Sequence, residues 1–85
     1  MKLTEVQDLA MQARIAGFVG AEVFDRLFSG ILFEETEGQL LFVYAKDEDT
    51  ANEIEENFTL PLALIASAIL NRAIDDVLVL PTVLQ

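Results

Sequence analysis

The chain has 85 residues, of which 53% are hydrophobic, and a formal net charge of −10 from 15 acidic and 5 basic residues. That length and hydrophobic content predict one domain, residues 1–85, with a buried core. The arginines Arg14, Arg26 and Arg72 are scattered, so we expect no basic stripe for binding a nucleic-acid backbone. Cysteine and histidine are both absent, which excludes disulfides, thiol chemistry, the usual zinc sites and histidine-based catalysis.

The longest apolar stretch, residues 60–70, spans 11 positions and is interrupted by Pro61 and Ser67. It is much shorter than the roughly 20 residues that a membrane-spanning helix needs. The sequence becomes acidic at Glu5, before any apolar run, which is not typical of a signal peptide. We therefore expect a cytoplasmic protein with no membrane partner.

A first helix is predicted from Thr4, as its cap, to about Phe18, with Glu5 and Asp8 at the end where the helix dipole favours acids. Its apolar stripe is expected to face the core. The stripe consists of Leu3, Val6, Leu9, Ala10, Ala13, Ala16 and Gly17, with Met11 and Ile15 beside it. Any exposed remainder would be a partner surface. Because small apolar-rich domains often bury surface against a copy of themselves, Leu3, Val6 and Ala10 are candidate homodimer contacts.

Gly17 and Gly20 are predicted to break this helix, and a second helix over residues 21–28 is expected to bury Phe24, Leu27 and Phe28. A Gly-x-x-Gly segment between helices also occurs as the nucleic-acid loop of KH domains. No lysine or arginine lies within or directly beside this one. A plain helix–helix turn is therefore the favoured interpretation.

A β-hairpin is predicted from two apolar runs, residues 31–33 and 40–45, joined by a polar turn over residues 35–38 that ends in Gly38. A long helix is expected from Asp47, as its N-cap, to about Asn71, with a kink or brief break near Thr59-Leu60 because of Pro61. A third strand is predicted over residues 77–80, where Pro81 indicates a strand end or a sheet edge. The expected fold is a compact α+β domain of order α-α-β-β-α-β, with a three-stranded sheet covered by helices.

Asp47 and Asp49 have the spacing of the first two ligands of an EF-hand calcium loop. Such a loop needs a glycine at its sixth position and a glutamate at its twelfth, and this chain has Asn52 and Phe58 there. We therefore expect no metal site and no cofactor.

Three segments of the sequence resemble the N-terminal domain (domain I) of the bacterial replication initiator DnaA. They are Ala21-Glu22-Val23-Phe24 followed by Leu27, then Leu41-Phe42-Val43-Tyr44-Ala45 followed by Lys46-Asp47, and Phe58-Thr59-Leu60-Pro61-Leu62. The resemblance covers roughly residues 6–80. It implies a non-enzymatic, KH-like domain that self-associates and docks the replicative helicase and regulatory proteins.

The sequence departs from that family at its usual surface contacts. The family usually has a tryptophan in helix 1 and another at the end of helix 2, whereas this chain has no tryptophan and has Leu27 at the second position. Where the family often has an aromatic residue and then a tryptophan at the start of the long helix, this chain has Asp49 and Glu53. The 85 residues include no ATPase or DNA-binding domain, so we expect a diverged or free-standing copy of domain I.

The leading functional hypothesis is therefore a protein–protein interaction module in replication initiation or its regulation, and not an enzyme. Its expected binding residues are Glu22, Val23, Arg26, Asp49 and Glu53. The alternative is an acidic DNA mimic that occupies a basic surface, because nine of the fifteen acids lie between Glu34 and Glu56. The same charge could simply maintain solubility. A paired-carboxylate enzyme is the weakest hypothesis, since a sequence gives neither carboxylate separations nor pKa values.

Overall fold

A computed structural model describes residues 1–82 and places three helices and a π-helical turn around a three-stranded sheet. The elements, in chain order, are α1 (Glu5–Val19), α2 (Ala21–Val23), the π-turn (Phe24–Phe28), β1 (Leu32–Glu37), β2 (Leu40–Ala45), α3 (Glu48–Leu70) and β3 (Asp76–Pro81). The α+β class and the order α-α-β-β-α-β are confirmed. No helix among these residues is long and apolar enough to cross a membrane.

The sheet has the strand order β1-β2-β3 and is mixed. β1 and β2 form an antiparallel hairpin, whereas β2 and β3 are parallel. A parallel pair needs a long crossover connection, and α3 supplies it. Gly38 in the hairpin turn has a φ of 61°, which a glycine adopts without strain. β3 is an edge strand that ends at Pro81, as predicted for this proline.

β1 is longer than predicted and extends through residues that the sequence assigned to the turn. Its register against β2 shifts between Phe33 and Glu35, which is a β-bulge at Glu34. Phe33 pairs with Val43 and Thr36 pairs with Leu41. The bulge therefore places both Phe33 and Thr36 on the buried face, although simple alternation would have placed them on opposite faces.

The core lies between one face of the sheet and the helices. Fully buried side chains come from every layer, and the largest of them are Phe28, Phe33, Met11, Ile15, Leu41, Ile54, Leu62 and Val43. The Phe28 ring meets the Phe58 ring edge to face, with 5.3 Å between the ring centroids. Burial of Leu27 and Phe28 and partial burial of Phe24 agree with the prediction for the second helix.

The predicted inward face of α1 is wrong. Met11 and Ile15, which were placed beside the apolar stripe, are fully buried, whereas Val6 is 76% and Leu9 is 55% exposed. Polar contacts to β1 set this rotation of the helix: the Asp8 carboxylate accepts a hydrogen bond from the Phe33 N–H at 2.9 Å. With Asp8 held against the strand, the side chains three and seven positions later point into the core.

α3 is one continuous helix, so Pro61 does not divide it. It begins after Asp47, whose side chain accepts a hydrogen bond from the Thr50 N–H at 2.8 Å. It ends at Asn71, which has the left-handed conformation of a helix C-cap, with a φ of 53°. Both ends agree with the sequence prediction, because caps depend on local residues.

Candidate functional site

The five predicted binding residues form one surface, which we call the helix-2 surface: Glu22, Val23, Arg26, Asp49 and Glu53. It is joined at its centre by an ion pair, with 3.1 Å between the Arg26 guanidinium and the Glu53 carboxylate. Asp49 lies one helical turn before Glu53 and therefore on the same side of α3. The structure thus brings residues from the second helical segment and from α3 together.

The α2 side of this surface borders an open depression of about 950 Å³. Its lining residues come from one continuous stretch, namely Val19, Gly20, Ala21, Glu22, Val23, Asp25 and Arg26. Three of the five predicted residues are among them. Asp49 and Glu53 of α3 lie outside the depression, so the surface has a concave part on the second helical segment and an acidic part on α3, joined by the ion pair.

Local backbone features position this surface. Gly20 separates α1 from α2 with a φ of 87° and a ψ of 164°, a conformation open almost only to glycine. The turn consists of this one residue, which agrees with the helix–helix turn predicted for the Gly-x-x-Gly segment. Lys46, just after β2, donates a hydrogen bond of 2.8 Å to the Arg26 carbonyl and so connects the π-turn to the start of α3.

The start of α3 is held by its cap. Hydrogen bonding from the Thr50 side chain, and then from the Thr50 backbone N–H, lowers the pKa of Asp47 from its ordinary value. These bonds favour the ionised form of the side chain that caps the first turn, which carries Glu48 and Asp49.

The chemistry available on the helix-2 surface is recognition by charge and shape. An exposed ion pair such as Arg26–Glu53 contributes at most about 1 kcal/mol to stability, so its side chains are available for new partners at little cost. Within residues 1–82, no group of three or more acidic side chains lies close enough together to hold a metal ion. Buried polar side-chain atoms in the same range all have hydrogen-bond partners.

Two of the predicted dimer contacts, Val6 and Ala10, lie on α1, whereas Leu3 precedes its cap, and the three differ in exposure. Val6 points into solvent, whereas Ala10 is half-buried and Leu3 packs partly against the core. Sequence reasoning missed a second exposed apolar group, formed where Phe18 at the end of α1 meets Leu60 and Leu64 of α3 around a cleft of about 290 Å³. Glu56, Leu60 and Leu64 are spaced four residues apart and therefore lie on one side of α3. Because Glu56 belongs to the acidic, solvent-facing side, this spacing indicated that Leu60 and Leu64 are exposed.

Comparison with known proteins does not assign the chain to a family: no protein-family model matches it, and no curated protein matches it significantly.

Proposed function

We propose that this chain is a non-enzymatic, cytoplasmic protein–protein interaction module in DNA replication initiation or its regulation. Its helix-2 surface would bind the replication initiator, the replicative helicase or a regulator. The observation that carries the proposal is the ion pair between Arg26 and Glu53, which joins the π-turn and α3, distant in the sequence, into one continuous surface. The resemblance of the sequence to domain I of DnaA supplies the class of partner.

Self-association through α1 is part of this proposal. Val6 and Leu9 are exposed apolar side chains in the first half of that helix, Phe18 is another at its end, and no acidic residue lies between Leu9 and Ala21. Two copies of a chain with a charge of −10 repel each other least where carboxylates are absent. The predicted contacts Leu3 and Ala10 would lie at the edge of such an interface because they are half-buried.

The test is the binding of the purified helicase and initiator from the source organism to the double variant Asp49→Lys, Glu53→Lys. We expect the dissociation constant to rise by at least about tenfold, because both changes reverse charge on the α3 part of the surface. The melting temperature should hardly change, since the one ion pair that is lost is exposed. Biolayer interferometry gives the affinity and circular dichroism gives the melting temperature.

A matched control is the double variant Glu48→Lys, Glu55→Lys. It makes the same change in net charge on the side of α3 that faces away from Arg26, and Glu55 makes only a long hydrogen bond, 3.4 Å from the Val79 nitrogen. Equal loss of binding in both variants would show that only net charge matters. Such a result, with steep loss of binding between low and moderate salt, would favour the DNA-mimic alternative. Absence of binding to either replication protein would overturn the proposal.

A further inference from the structure

We propose that the open face of the sheet is a second docking site, and that its occupant is an amphipathic helix of another protein that carries lysine or arginine at one end. This inference does not rest on the helix-2 surface, because the helices that carry that surface pack on the opposite face of the sheet.

The strand register places the outward-facing side chains in three rows across the sheet. The first row is Leu32, Tyr44 and Leu80; the second is Glu35, Phe42 and Leu78; the third is Glu37, Leu40 and Asp76. Six of these nine side chains are large and apolar. We refer to those six, namely Leu32, Leu40, Phe42, Tyr44, Leu78 and Leu80, as the open sheet face.

The core does not use the open sheet face. Every fully buried apolar side chain of the strands, such as Val43 and Val79, belongs to the core cluster on the other side. The six residues are absent both from that cluster and from the partly buried side chains packed against it. Leu32 is 42% exposed, and the other five are intermediate between buried and exposed. Within residues 1–82, the helices contribute their inward side chains to this one core, so none of them covers the open sheet face. An apolar face of this extent typically marks an interaction site.

The number of acidic residues on this face increases from the first row to the third. The first row has no charged residue, whereas the second contains Glu35 and the third contains Glu37 and Asp76. None of these three carboxylates forms an ion pair with another side chain of residues 1–82. The nearby cation Lys2 pairs instead with Glu34, at 2.9 Å. Arg72, on the helix side of the hairpin, donates to the Gly38 carbonyl at 3.2 Å.

This gradient disfavours a second copy of the chain as the occupant. In a twofold pairing of aligned sheets, an axis along the strands places the third row over its own copy, so that Glu37 and Asp76 face the same carboxylates. An axis across the strands places those carboxylates over the apolar first row, where they would lose water without gaining a partner. Either arrangement also brings together two chains of charge −10.

A helix with an apolar stripe and cations at one end matches both parts of the face. Its stripe would cover the first two rows, and its cations would lie beside Glu35, Glu37 and Asp76, where charge complementarity fixes its direction. The i, i+3, i+4 and i+7 spacing of such a stripe provides side chains on about the scale of three adjacent strands. The partner chemistry is therefore apolar and basic.

The experiment uses a fluorescein-labelled helical peptide of about 18 residues with leucines at helical spacing and lysines clustered at one end. Fluorescence anisotropy measures its affinity for the wild-type chain and for two double variants, Leu78→Thr, Leu80→Thr and Glu35→Lys, Glu37→Lys. Threonine retains strand propensity, and both charge reversals are on strand β1, outside the core. We expect each double variant to weaken binding by at least about tenfold.

Matched controls separate this site from general attraction to an acidic protein. Leu60→Thr, Leu64→Thr removes two exposed apolar side chains from α3, and Glu48→Lys, Glu55→Lys makes the same charge change as the β1 variant; both should bind like wild type. A scrambled peptide of identical composition should bind more weakly. Equal binding of the scrambled peptide, or equal loss in the control variants, would overturn the proposal.

Two measurements on the wild-type chain keep the test independent of variant stability. With the peptide added, amide chemical-shift changes should concentrate in β1, β2 and β3; changes concentrated in α1 or α3 would overturn the proposal. Sedimentation velocity should show a monomer, or a dimer that persists in Leu78→Thr, Leu80→Thr. A wild-type dimer that this variant abolishes would show that a second copy covers the face, and would also overturn it.

Discussion

Gly17 and Gly20 are three residues apart and have opposite conformational requirements. Gly17 lies within α1, whereas Gly20 ends it with a φ of 87°. A Cβ atom added at either position would meet no atom within 4 Å. Any effect of an alanine at these positions is therefore a backbone effect and not a packing effect.

We expect Gly20→Ala to lower the free energy of unfolding by about 1–3 kcal/mol, because alanine is strained in this conformation. Gly17→Ala is the matched control and should raise it by about 0.5–1 kcal/mol, because alanine favours a helix over the unfolded chain. Urea denaturation monitored by circular dichroism measures both. The same sign of change in the two variants would contradict this account.

Residue-scale features were predictable where they depend on neighbours in the sequence. Thr4 forms a reciprocal capping box with Gln7, and Asp47 caps α3. Both were predicted as caps, since a cap requires only its own first turn. The bond from Phe33 to Asp8 joins residues 25 positions apart. No local pattern indicates such a contact, and it decides which side of α1 is buried.

At the scale of elements, the connection from α3 to β3 depends on one hydroxyl group. The Ser67 Oγ accepts a hydrogen bond from the Ile74 N–H at 3.0 Å and donates to the Ala63 carbonyl at 2.9 Å. It also lies 3.1 Å from the Ile74 carbonyl oxygen. Ser67 therefore fixes the position at which the chain leaves the helix and enters the parallel strand.

Ser67→Ala should cost about 1–2 kcal/mol of stability, because it leaves the largely buried Ile74 N–H without its partner while slightly favouring the helix. Hydrogen exchange followed by NMR should show faster exchange at Ile74 and along β3 than in β1. Ser29→Ala, at an exposed position after the π-turn, serves as the control and should leave exchange unchanged. Unchanged protection of Ile74 in Ser67→Ala would contradict the assigned role.

Element order was predictable from hydrophobic periodicity, whereas element faces and lengths were less so. Apolar residues recur at a period of two in β2 and of three to four in α3, and both periods are strong local signals. The bulge at Glu34 has no such signal, so β1 was predicted too short and its acidic residues were assigned to the turn. Pro61 indicated a kink or a brief break; no break occurs, and packing on both sides of the proline, through Phe58 and the buried Leu62, holds α3 as one helix.

At the scale of the whole molecule, the acidic residues are distributed unevenly along the chain. No acidic residue occurs between Leu9 and Ala21, or between Asn57 and Ile74. The hairpin and the first half of α3 carry most of the carboxylates instead. The sequence made this segregation visible, but it did not show which apolar side chains remain exposed, because that depends on how the helices rotate against the sheet.

This charge distribution predicts that salt stabilises the fold. With a net charge of −10 and only two ion pairs among the side chains of residues 1–82, repulsion between carboxylates outweighs attraction. Raising sodium chloride from about 10 mM to about 500 mM shortens the Debye length severalfold. If screening of this repulsion stabilises the fold by about 1 kcal/mol, the melting temperature should rise by roughly 4–8 °C in a domain of this size. The triple variant Glu48→Gln, Glu55→Gln, Glu56→Gln should start from a higher melting temperature and respond less to salt. Differential scanning calorimetry measures how steeply the melting temperature rises with salt in the wild type and in the triple variant. Equal slopes would mean that salt acts through apolar burial and not through the repulsion between these acids.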